Sequence, residues 1–109
     1  METLRSCIHT ILTHKDKLIL DKNVLHLRIN NQCITVTICQ DEAVKLQIVS
    51  TPANRQWTIT INPNTKKIEC IHIKVPHFST TVPFECLSEQ VSQLVLSLCN
   101  NIFGRPLKH

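Results

Sequence analysis

The run Cys33-Ile34-Thr35-Val36-Thr37-Ile38 repeats with a period of two. Ile34, Val36 and Ile38 fall on one side, and Thr35 and Thr37 on the other. That is the pattern of a strand with one buried and one open face. Its β-branched residues suit a pleated, half-buried surface. Upstream, Asn30-Asn31 supplies a tight turn, because asparagine tolerates positive φ better than most residues. Val24–Ile29 is the strand before it, and Leu18-Ile19-Leu20, closed by Asp21-Lys22-Asn23, is the one before that. Downstream, Gln40-Asp41-Glu42 turns the chain, and Val44, Leu46 and Ile48 alternate with Lys45 and Gln47. Thr51-Pro52-Ala53-Asn54 turns it again. Trp57, Ile59 and Ile61 alternate with Thr58 and Thr60, and Asn62-Pro63-Asn64 leads to Ile71, Ile73 and Val75 opposite Cys70, His72 and Lys74.

The pattern therefore predicts strands over about 17–20, 24–29, 33–38, 43–49, 56–61 and 67–75. Short connections predict sequential antiparallel pairing. The period changes to that of a helix at both ends of the chain. Leu4, Cys7, Ile8, Ile11 and Leu12 make one helical stripe over 2–14. Pro83 suits a helical first turn, Phe84, Leu87, Val91, Leu94, Leu98 and Ile102 follow at spacings of three or four, and Gly104 with Pro106 reads as a stop. The second helix is thus expected over 83–103, with His77–Thr81 as a loop before it. The fold class is α+β: a six-stranded antiparallel meander flanked by N- and C-terminal helices, one face covered by helix, in a single domain of 109 residues. In architecture this layout resembles polo-box and pleckstrin-homology-like domains and some small dimeric assembly chaperones.

Composition removes several functional classes. The one glycine, Gly104, stands five residues from the end. Phosphate-cradling loops, dinucleotide fingerprints and nucleophile elbows need glycine where backbone crowds a ligand. At 42% hydrophobic and 18% charged the chain has the composition of a folded domain. The first residues lack the uninterrupted apolar run of a signal peptide, and no stretch approaches the length of a membrane span. The six cysteines lie in strand- and helix-period segments and read as reduced thiols. Together these predict an intracellular protein, cytoplasmic or nuclear, with no membrane partner and no cofactor.

Three groups of residues are candidates for function. The C-terminal helix carries more apolar surface than one sheet needs. With Leu94 at zero and about 100° per residue, Leu98, Val91, Ile102 and Val95 span about 40–100°. Leu96, Cys99 and Phe103 widen the arc to roughly 200° and form a stripe of their own. The first helix or another chain must cover that stripe, which makes these three the candidate interface. The open face of the sheet carries Arg28, Lys45, His72 and Lys74, a candidate ligand-binding face for a phosphopeptide or nucleic acid. It has no aromatic platform for bases. Cys70-x-His72 places a thiol and an imidazole about 7 Å apart on one strand, with His26 and Cys33 as possible companions, but the paired short spacings of structural zinc are missing. No metal site and no catalytic constellation is predicted. The expected function is a non-catalytic protein-interaction or assembly domain. Its partner is a protein or a second copy of itself (a homodimer), ahead of nucleic acid. The C-terminal helix makes the contact, with the sixth strand as a second contact if it is a sheet edge.

Overall fold

The computed structural model describes residues 3–40, 43–51 and 54–107, with side chains to residue 103. The N-terminal helix α1 spans Leu4–Thr13. Thr3 caps it: its hydroxyl accepts the Ser6 N–H at 3.1 Å, and the Ser6 hydroxyl accepts the Thr3 N–H at 2.9 Å. This reciprocal pair satisfies two donors that the first turn would otherwise leave bare. A 3-10 turn, Lys15–Lys17, leads into the sheet. Seven strands follow: β1 Ile19–Asp21, β2 Val24–Ile29, β3 Gln32–Gln40, β4 Val44–Thr51, β5 Arg55–Ile61, β6 Ile68–Val75 and β7 Phe78–Pro83. Their spatial order is their order in the chain, and every neighbouring pair is antiparallel.

The meander is built without glycine. Lys22, Asn30, Asn54 and Lys66 take positive φ at the turns, near 54–64°. In the turn after β5, the Asn62 Oδ1 accepts the Asn64 and Thr65 N–H groups at 2.8 and 3.1 Å. An asparagine side chain here replaces the backbone acceptor of a longer loop. The turns expected at Asp41, Glu42, Pro52 and Ala53 lie outside the described residues.

Two boundaries differ from the sequence reading. Residues 78–83, read as a loop and the start of a helix, are β7, so β6 is not a sheet edge. Pro76-His77 closes a hairpin on the Val75–Phe78 pair, and β7 pairs β6 over its full length. Pro83 is tolerated because it ends an edge strand, where a missing N–H need not break the ladder. A 3-10 turn, Phe84–Cys86, then carries the chain to α2, Glu89–Leu107. Ser88 provides the cap that Pro83 does not, its hydroxyl accepting the Val91 N–H at 3.3 Å. At its other end α2 runs past Gly104, read as its stop. A glycine costs a helix about 1 kcal/mol relative to alanine and does not forbid it.

Both helices lie on one face of the sheet. Leu27, Ile34, Val36, Leu46, Ile48, Trp57, Ile59, Ile61 and Ile71 are buried beneath them, in one cluster with Cys7, Ile8 and Ile11 of α1 and Val95 and Leu98 of α2. Ser50 is the buried polar residue among those described, and its hydroxyl accepts from the Gln32 side chain at 3.2 Å. Among the described residues no helix is long and apolar enough to cross a membrane.

Candidate interaction surface

The C-terminal helix does not present the stripe expected of it. Cys99 and Phe103 are buried within this chain's own core, and of the three only Leu96 is exposed, at 38%. The correction has a simple cause. α1 packs against α2 as well as on the sheet, and Lys15 Nζ donates to Asn101 Oδ1 at 3.2 Å where the two helices finish side by side. That contact covers the Leu94, Leu98 and Asn101 side of α2. Cys99 and Phe103, about 140–180° round the helix from Leu94, are buried on its other side in the same core cluster. Burial pushes the Cys99 thiol up from 9.0 to about 12, so it is held neutral. None of the six cysteines is in a disulfide.

The open face of the sheet carries the four candidate ligand-binding residues, but the topology separates them. Arg28 stands on β2, Lys45 on β4, and His72 and Lys74 on β6. Each of these strands is two strands from the next, roughly 10 Å. Between them run threonine and glutamine: Thr37, Gln47, Thr58, His72 and Thr81 form one row across the sheet. The His72 Nδ1 lies 2.8 Å from the Thr81 hydroxyl. Cys70 and His72 share β6, whereas His26 and Cys33 stand three or more strands away. Among the described residues no group of three histidine, cysteine or acidic side chains is placed to hold a metal ion.

Apart from Leu96 on α2, the exposed large apolar residues among those described lie at the two edges of the sheet. Ile19 and Leu20 on β1 are 67% and 64% exposed, and Phe78 on β7 is 62% exposed. Leu20 also lines a cleft of about 310 Å³ with Leu12, Leu18, Leu25, Ile38 and Ile102, so the helix layer reaches towards β1. Phe78 lines none of the clefts found among the described residues. Together with Thr80 and Val82 it stands on the helix face of β7, opposite Val75, Ile73 and Ile71 of β6.

β7 escaped the sequence reading, although its signal is visible in retrospect. Phe78, Thr80 and Val82 alternate with Ser79 and Thr81, and a proline-led pair of residues precedes them. Threonine on the inner face weakens the alternation because an edge strand has little to bury.

No family model matches the chain, and no curated protein or solved structure does so either.

Proposed function

We propose that this chain is a non-catalytic protein-interaction or assembly domain whose contact element is the open edge of β7. One observation carries the reading. β7 is six residues long, pairs β6 without a bulge, and carries no charge from Phe78 to Pro83. Protected edges are short, charged, bulged or covered. Among the described residues β7 has none of these devices apart from its terminal proline. An extended segment laid along it would gain main-chain hydrogen bonds and a large apolar anchor in Phe78.

The direction of the backbone follows from pairing rules. In the β2–β3 hairpin the Ile38 N–H donates to Asn23 O at 2.8 Å. Alternation from that pair makes Ile29–Gln32, which closes the two-residue turn, a hydrogen-bonded pair. Applied to the two-residue Pro76-His77 turn, the same rule makes Val75–Phe78 hydrogen-bonded. Ser79 and Thr81 then turn their N–H and C=O groups outward.

Ser79→Pro removes one outward donor and leaves the β6–β7 ladder whole. The wild type and this variant are to be compared by light scattering and by binding to a panel of blocked, extended peptides. Association by the wild type that is lost in the variant, with circular dichroism unchanged, supports the reading. Equal association by both proteins, or none by either, overturns it.

A further inference from the structure

The geometry points to a second copy of this chain as the partner, joined by antiparallel pairing of β7 with β7 about a two-fold axis through Thr80. This rests on the reading of β7 as the contact edge and specifies its occupant. A two-fold pairing must place helix-face residues opposite helix-face residues. Centring the pair on Thr80 does so: Thr80 meets Thr80, Phe78 meets Val82, and Ser79 meets Thr81. The same register satisfies the backbone. Ser79 and Thr81, the outward-facing residues, become directly opposed and exchange N–H···O bonds, and Thr80 falls at a close, non-hydrogen-bonded pair.

Charge and cover favour a copy over an unrelated strand. Near the turn end of β7 Lys74 is exposed on β6, and Glu85 is exposed just past the other end. Antiparallel self-pairing sets the Lys74 end of each copy at the same end of the seam as the other copy's Glu85, whereas parallel pairing would set like ends together. The axis also keeps both helix layers on one side. Phe78, uncovered in one copy, packs across Val82 of the other in the gap that the helices leave over β7, and the two sheets continue as one. Six residues of edge are less than the ~800 Å² per partner of a standard interface supplies, so the dimer is reversible and concentration-dependent.

Sedimentation and cysteine cross-linking test this on the full chain with Cys86→Ser, which removes an exposed thiol. The mass should climb from 12.5 kDa towards twice that value with concentration. Under mild oxidation Thr80→Cys should cross-link as a dimer and Thr81→Cys should not, because residues 81 and 81 of the two copies lie beyond the ~7 Å Cα limit for a disulfide. Cross-linking through 81 in preference to 80 would overturn the register. A monomer at every concentration would overturn the dimer. In that event, peptide binding that Ser79→Pro abolishes keeps the edge reading and assigns the site to another chain's strand, whereas no peptide binding removes both.

Discussion

The two edges of this sheet solve one problem differently. β1 has three residues, of which Asp21 is charged, and Lys17 and Lys22 stand close to its two ends. Its pairing with β2 stops at Ile19–His26, so Leu20 is the one β1 residue with outward backbone groups. Arg28 of β2 stands just beyond, a charge on the remaining open ladder. The helices also approach this side and draw Leu20 into their cleft. β7 is twice as long and uncharged, and the helix layer leaves its largest side chain bare. Within one sheet and one core, the first edge discourages a partner strand and the second accepts one. Exposed apolar area alone would not separate them, since Leu20 and Phe78 are almost equally exposed. Charge, length and cover do.

That contrast presumes a shared core that holds both edges. The strongest way to break it is at the centre. Ile59 on β5 is fully buried between the sheet and the helices. Ile59→Ala should cost about 2–5 kcal/mol through lost burial and the cavity left behind. The two edges should be lost together in one thermal transition followed by circular dichroism. Separate transitions for the β1 and β7 sides would mean that the edges differ in underlying stability as well as in protection.

Cys99 probes the same shared core by pH. Its thiol would ionise near 9.0 when unfolded and near 12 in the fold. The neutral form is therefore favoured by the folded state. This contribution to stability is complete below pH 9 and is lost as the pH rises from there towards 12. Urea midpoints of the wild type and Cys99→Ala should run parallel from pH 6 to 8. Above pH 9 the wild type should fall more steeply. Parallel curves throughout would mean that Cys99 is open to solvent, and would return the C-terminal helix to candidacy as an interface.

How much of this was legible before the structure depends on burial. β2 to β6 announce themselves because isoleucine, valine and leucine alternate strictly with threonine, lysine and glutamine wherever one face is covered. The turns were legible from asparagine and proline. β7 was not, because an edge strand with threonine on its inner face lacks that contrast, and Pro83 has two ordinary uses. The fate of Cys99 and Phe103 was illegible for another reason. Helical angles show that a side chain needs cover, but they do not identify the neighbour that provides it. The same holds for Arg28, Lys45, His72 and Lys74 on the open face. Alternation put all four on one side, and only the strand order shows how far apart they stand.

The proposed register sharpens the contrast between edges by charge. Thr80→Lys sets two ammonium groups face to face across the two-fold axis and should abolish association, because like charges directly opposed destabilise a strand pair. Thr80→Glu should do the same. Mixing the two variants should restore a one-to-one complex in sedimentation, since lysine then meets glutamate. At the other edge, Asp21→Ala removes a protecting charge but leaves one outward-facing residue, and should create no association. Asp21→Ala should keep the stability of a single copy within about 0.5 kcal/mol, as expected for a surface position, and circular dichroism of the half-buried Thr80 variants should show each single copy still folded.

The finest distinction is between the two exposed apolar side chains themselves. Leu20→Ala and Phe78→Ala each remove a mostly exposed group, so each should change the unfolding free energy of one copy by no more than about 0.5 kcal/mol. In dilute solution their melting curves should be nearly indistinguishable from the wild type. At high concentration they should part. Phe78→Ala removes the side chain that packs across Val82 of the second copy and should weaken association severalfold, whereas Leu20→Ala should leave it unchanged. Equal weakening by both substitutions would show that apolar exposure, and not the character of the edge, governs self-association.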